Sequence, residues 1–128
     1  MNIREKKYKA WDKEKKLMSK PFYLYELEGY EGEVNAVILN QDNKQWTIAV
    51  NKEPDENVVV LDWTGQKDRN RKEIYEGDIL QPKEDMPGIG TDYHVVRWCD
   101  AVEGFSGIYE PYFSEVVGNI YENEDLIK

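Results

Sequence analysis

The 128-residue sequence predicts a mainly β protein, with a β-rich α+β arrangement as the alternative. It reads as an N-terminal strand-rich lobe over residues 1–66 and a C-terminal SH3-like small barrel over residues 67–128, ending in a short helical turn. Three observations predict this. Helical periodicity is scarce. Short segments rich in Val, Ile, Tyr, Trp and Phe recur between Gly, Asn, Asp and Pro. The polar, basic stretch Thr64 to Lys72 separates two apolar, strand-rich halves, the second of them small enough for a five-stranded barrel.

Tyr8 to Trp11 reads as the first strand, and the charged run Asp12 to Lys16 as the turn after it. Phe22 to Leu27 begins after Pro21, whose fixed φ suits a strand start, and stops before the turn-forming Gly29 to Gly32. Val34 to Leu39 and Gln45 to Val50 flank the hairpin loop Asn40 to Lys44, and alternation puts Trp46, Ile48 and Val50 on one face. Val58 to Trp63 is a β-branched run leading into Thr64-Gly65. In the second half, strands are expected near Asp78 to Leu80, Tyr93 to Cys99, Phe105 to Tyr109 and Ser114 to Tyr121. Pro82 to Gly90 reads as an irregular loop. Asn123, followed by Glu124 and Asp125, reads as a helix cap with carboxylates placed favourably for the helix dipole.

Composition narrows the function classes. One Cys allows no intramolecular disulfide, and one His with one Cys offers no set of metal ligands, so stapled secreted scaffolds and zinc sites are excluded. The longest aliphatic runs, Ala36 to Leu39 and Val58 to Leu61, are too short for a membrane span, and no signal peptide is expected. A reducing bacterial cytoplasm fits. Lys plus Arg number 17 against 26 Asp plus Glu, a net charge of −9, but the charge is unevenly spread. Residues 1–20 hold eight basic and three acidic side chains, a basic head on an acidic body, which is a pattern of partner binding or self-association. Within the body, Lys67, Arg69, Arg71 and Lys72 form a positive island.

Catalytic sets are absent by inspection. His94 and Cys99 are the only candidates for a Cys–His pair, and their odd separation in one expected strand points them to opposite faces. Gly88-Ile89-Gly90 lacks the third Gly and the preceding strand of a dinucleotide fingerprint. Asp68-x-Asn70-x-Lys72 starts like a calcium loop but has Lys at the third ligand, Glu73 at the turn Gly and Ile79 at the bidentate acid. Carboxylate pairs such as Glu76 with Asp78, or Glu110 with Glu115, arise by chance among 26 acids. No enzyme, cofactor or metal is expected. For nucleic acid, four phosphate contacts by the basic island give a salt slope of about −3.6, or roughly 150-fold affinity loss between about 50 and 200 mM salt.

Three segments together resemble the YopX protein family of small phage and prophage proteins. They are KYKAWDKEKKLM (Lys7 to Met18), TGQKDRNRKEIYEGDI (Thr64 to Ile79) and EVVGNIYENEDL (Glu115 to Leu126). The signature positions are Trp11, Asp12, Gly65, Asp68, Tyr75, Gly77, Asp78, Gly118, Asn119 and Tyr121. Two positions depart from the family pattern. Arg71 stands where Gly commonly follows the Asn of the central turn, and Glu124 where Pro commonly follows the Asn of the tail. The resemblance implies the SH3-like barrel and homo-oligomers, and brings no activity and no catalytic residues. The residues themselves suggest fold-specifying roles. Gly77 supplies a turn conformation, Asp78 bonds turn amides, and Gly118 marks a bulge or bend. Ile74, Ile79, Val95, Val117 and Ile120 would fill the barrel.

The function expected first is a non-enzymatic phage or prophage accessory protein working through protein–protein contacts and self-association, with 16 aromatics available as interface anchors. Another copy of the chain is the partner expected first, with a host or phage protein as the alternative. The second is a nucleic-acid-associated module using the basic turn, and the third an acidic mimic of DNA. No membrane contact is expected.

Overall fold

The computed structural model describes residues 6–30, 36–50, 53–82, 92–108 and 114–127. Its strands are β1 (Lys7–Asp12), β2 (Leu17–Met18), β3 (Phe22–Tyr23), β4 (Leu27–Tyr30), β5 (Ala36–Gln41), β6 (Lys44–Val50) and β7 (Glu53–Pro54). They continue with β8 (Val58–Lys67), β9 (Glu73–Tyr75), β10 (Asp78–Pro82), β11 (His94–Val95), β12 (Arg97–Cys99), β13 (Gly104–Ser106) and β14 (Ser114–Asn119). Among the described residues, helix is confined to short 3-10 segments at Leu24–Glu26 and Glu124–Ile127. The chain is therefore all-β, with a curled half-barrel sheet. It divides into two units between Asp62 and Trp63, inside β8 and ahead of the polar stretch.

In the first unit β1 pairs antiparallel with β2, with β3 and with the first half of β8, where Ala10 faces Val60. The Asp12 carboxylate closes the β1–β2 turn by accepting from the Glu14 and Lys15 amides, both at 2.9 Å. A second sheet runs β4-β5-β6-β7. The β5–β6 hairpin is tighter than expected: its turn is Asp42-Asn43 alone, with φ of 48° and 62°. Two short Asx residues in the left-handed region match the twist of the flanking strands. The core gathers Ala10, Phe22, Leu39, Trp46 and Val58, with Tyr8, Leu17, Leu27, Ile48 and Val60 packed against it.

Two expectations here are corrected. Phe22 to Leu27 is not one strand. The Glu26 carboxylate accepts the Tyr23 amide at 2.7 Å and the Leu27 amide donates to the Leu24 carbonyl, so local bonding winds Leu24–Glu26 into a 3-10 turn. The chain then re-enters a strand that runs through Gly29. In β6, Ile38 faces Thr47 while Val37 faces Ala49, leaving Ile48 as the extra residue of a bulge. Alternation is interrupted there, and Val50 is not in the cluster that holds Trp46 and Ile48.

In the second unit β10 is the central strand of β11-β10-β14, β9 pairs with the second half of β8, and β12 pairs with β13. Its core is Ile74, Leu80 and Val96, against which Phe105, Ile108 and Val116 pack; Ile79 is also fully buried. Val95 and Val117, expected as core, are only half-buried, as is Ile120. Two register events explain the exchange for Val96 and Val116. Ile79 faces Gly118 but Leu80 faces Val116, so Val117 is the extra residue of a bulge. The expected strand Tyr93 to Cys99 breaks at Val96, whose backbone exchanges bonds with the Gly77-Asp78 turn (Gly77 N–H to Val96 O at 2.8 Å, Val96 N–H to Asp78 O at 2.9 Å). Each event flips which side chains face inward. The loop expected at Pro82 to Gly90 lies outside the described residues beyond Pro82, which ends β10 opposite Ser114.

Candidate functional site

The central signature folds around one carboxylate. Asp68 is buried at 4% exposure. Its Oδ1 accepts the amides of Asn70 (2.8 Å) and Lys72 (2.9 Å), and its Oδ2 accepts the amide of Val116 on β14 (2.9 Å). The backbone adds Asp68 N–H to Lys72 O at 2.8 Å, Arg71 N–H to Asp68 O at 2.9 Å and Arg69 N–H to Ser114 O at 3.0 Å. Asp68 is thus a tie that closes the turn and fixes it to a strand 48 residues away. Its oxygens are engaged by amides, so the partial calcium-loop spacing has a structural explanation.

This tie holds Lys67, Arg69, Arg71 and Lys72 out to solvent. Lys67 ends β8 opposite Glu73, and the other three lie on the turn. Among the described residues none of the four makes an ion pair. Arg71 takes φ of 67°, the left-handed conformation for which Gly is suited. Upstream, Gly65 sits where the β8–β9 register shifts, and the Thr64 hydroxyl donates to the Ile74 carbonyl at 2.8 Å.

The remaining signature residues build two linked turns. Gly77 has φ of 88°, and a Cβ there would stand 2.7 Å from the Tyr121 ring. Asp78 Oδ2 accepts the Tyr75 amide at 2.7 Å, as expected, and Tyr75 is buried with its hydroxyl donating to Glu73 Oε1 at 3.1 Å. Asn119 Oδ1 accepts the Tyr121 and Glu122 amides at 3.0 and 2.8 Å. Asn123 does not cap the following turn with its side chain; its Oδ1 accepts the Asn119 amide at 3.2 Å. Gly118 is needed for that reach, because its Cβ would lie 2.6 Å from Asn123 Oδ1. Burial pushes the Tyr121 hydroxyl pKa upward, Glu76 adds to the rise and Arg97 opposes it. In the first unit Trp11 is buried and Asp12 serves the hairpin turn.

The other candidates separate. With the strand broken at Val96, parity no longer relates His94 to Cys99; His94 faces Leu80 across the ladder and Cys99 faces Gly104. Asp78 of the Glu76/Asp78 pair is engaged by the Tyr75 amide. Glu110 and Gly88 to Gly90 lie outside the described residues. Among the described residues, no three His, Cys, Asp or Glu side chains group as metal ligands, and no helix is long and apolar enough to cross a membrane.

One feature was not singled out from sequence, the β12–β13 hairpin. Among the described residues these strands pair only with each other. Trp98, 47% exposed, stands edge-on to Phe105 at 5.1 Å, and Val102 between the strands is 70% exposed. The Trp98 indole N–H donates to Asp100 Oδ1 at 2.7 Å, so its polar atom is satisfied while the ring stays accessible. A Trp in an aromatic-rich chain was the available signal; the exposure was not legible.

A family model described as YopX protein matches residues 7–128. Protein EF1440 from Enterococcus faecalis has a similar structure, with TM-score 0.58 and 21% identity over 96% of this chain and 98% of that one. Protein yopX from Bacillus subtilis is also similar, with TM-score 0.52 and 18% identity over 95% and 98%. At these identities the likeness is one of fold. Comparison with curated proteins gave no match.

Proposed function

The chain belongs to the YopX protein family, and from that premise we propose that it is a non-enzymatic phage or prophage accessory protein. It acts in the cytoplasm of a bacterial host through protein–protein contacts, including contacts between its own copies. The observation that supports this best is the β12–β13 hairpin, which offers Trp98 and Val102 to solvent. Trp is the residue type most often dominant in interfaces, since one ring buries a large area with little loss of side-chain freedom. The uneven charge supports the same reading, because a basic head and an acidic body attract between copies.

The test is the oligomeric state by light scattering and sedimentation. Wild type should form an oligomer that Val102→Asp or Trp98→Ala weakens by at least about 30-fold, the effect of losing an interface hot spot. Val102 is exposed enough that its replacement leaves the fold intact. A monomer from low to high salt, or an oligomer indifferent to both changes, would overturn the self-association.

A second reading rests on the exposed cations Lys67, Arg69, Arg71 and Lys72, which no ion pair among the described residues neutralises. A nucleic-acid-associated module would use this turn. Binding to DNA or RNA at low salt that falls on replacing Arg69 and Arg71 supports it; absence of binding removes it.

A further inference from the structure

The first unit carries an aromatic surface that its core does not use. Along β3, Phe22 points inward, 1% exposed, while Tyr23 lies on the other face. Tyr23 stacks on Tyr25 with ring centroids 5.4 Å apart and planes within 6°. Tyr25 is 82% exposed, the most exposed large hydrophobic among the described residues. This ring is not on a loose loop. The Glu26 carboxylate anchors the Tyr23 amide, and the Leu27 N–H to Leu24 O bond closes the turn between them. The stack is therefore formed before any ligand arrives, which lowers the ordering cost of binding.

The stack lies next to the basic head. Lys7 faces Tyr23 across the β1–β3 ladder and its Nζ lies over the Tyr23 ring, 5.4 Å from the centroid. Lys9 shares the strand face of Lys7, and Lys6 just before β1 is exposed and makes no ion pair among the described residues. Further along, Lys13, Lys15 and Lys16 are exposed at the hairpin turn, about 20 Å from Lys7 at the usual rise of a strand. Among the carboxylates of this region, Glu26 accepts the Tyr23 amide, Glu28 accepts from Asn40 Nδ2 at 2.9 Å, and Asp62 stands opposite Tyr8 on β8.

We infer that the Tyr23–Tyr25 stack and the lysines around β1 form a binding site for single-stranded nucleic acid. A base stacks on the outer face of Tyr25, and Lys6, Lys7 and Lys9 meet the phosphates. The combination selects this ligand class. An acidic peptide needs the cations but has no use for a planar platform, and an apolar partner needs the ring but not the lysines. A single strand presents π-faces and charges in regular succession. The site lies in a different unit from the Lys67 to Lys72 turn and does not depend on it.

The test uses the full chain and fluorescence polarisation with three probes: a short labelled oligothymidylate, an abasic oligomer of equal length, and polyglutamate. Oligothymidylate should bind best, with a log–log salt slope near −2 for three single-strand phosphate contacts. Tyr25→Ala should weaken it about tenfold without affecting the abasic probe, and Tyr25→Phe should keep the affinity. Lys6→Gln should reduce the slope by about 0.7. Folding is not at issue for so exposed a ring. No binding at low salt, polyglutamate binding as tightly, or a Tyr25→Ala protein equal to wild type overturns the site. If binding vanishes only when Lys67, Arg69, Arg71 and Lys72 are replaced together, the ligand sits on the central turn and the tyrosine site is refuted.

Discussion

Replacing Asp68 tests how the central signature holds the second unit together. In Asp68→Asn, Oδ1 still accepts the Asn70 and Lys72 amides, but the new amide nitrogen faces the Val116 N–H, donor against donor. One charge-assisted bond is lost, at about 1.5–3 kcal/mol, and a partly buried donor is left unsatisfied, at about 1–3 kcal/mol. Allowing for partial rescue of the turn by water, the expected loss is about 2–4 kcal/mol. Asp68→Ala removes all three acceptor contacts and should cost about 3–5 kcal/mol, a large part of an ordinary domain's stability. Chemical denaturation measures the total. Amide hydrogen exchange localises it: Val116 protection should fall by at least about 30-fold in Asp68→Asn, with Asn70 and Lys72 less affected. Asp68→Ala within about 0.5 kcal/mol of wild type, or unchanged Val116 exchange, would refute the tie between turn and strand.

At Arg71, φ of 67° strains any residue with a Cβ, so Arg71→Gly should raise stability by about 0.5–1 kcal/mol in thermal melts, after allowing for the flexibility Gly adds to the unfolded chain. Gly118→Ala drives a Cβ against the Asn123 side chain, its Cβ included, and should destabilise by about 1–3 kcal/mol, while the same change in an Asn123→Gly background should cost much less; a double-mutant cycle measures the coupling. The tyrosine pKa values predict an alkaline effect. Tyr8, raised by burial and then by Asp62, and Tyr121, raised by burial and Glu76 despite Arg97, hold their protons more tightly when folded. Their contribution is complete below the unfolded value of 10.0 and is lost as pH rises through the folded values. Tyr8→Phe should therefore melt like wild type at neutral pH and less steeply worse above pH 10.0, and tyrosinate absorbance should lose one of its latest-titrating steps.

Most of the fold was legible wherever a local rule operates. Val58 to Trp63 is a strand because it is β-branched, the β5–β6 turn falls inside Asn40 to Lys44 because Asp and Asn tolerate positive φ, and Gly77 and Asp78 make the expected turn. The misses have a common cause. Glu26 reaching back to Tyr23 broke a strand whose composition looked continuous, and the bulges at Ile48 and Val117 reversed alternation that a period of two cannot anticipate. The candidate surfaces were half legible. The four cations of the central turn could be counted, but that none of them makes an ion pair among the described residues could not. Tyr25 and Trp98 were two aromatics among 16 until their exposure was known.

Sequence by itself determined the all-β class, the uneven charge, the family and the turn residues, because propensity, charge and backbone restriction act within a few neighbouring residues. Tertiary structure alone decided which Val enters the core, why Gly118 is a glycine, and that Asp68 serves a strand 48 residues away. Those depend on register and on close approach of distant segments, and a one-residue shift in pairing, invisible to any local pattern, turns an inward side chain outward.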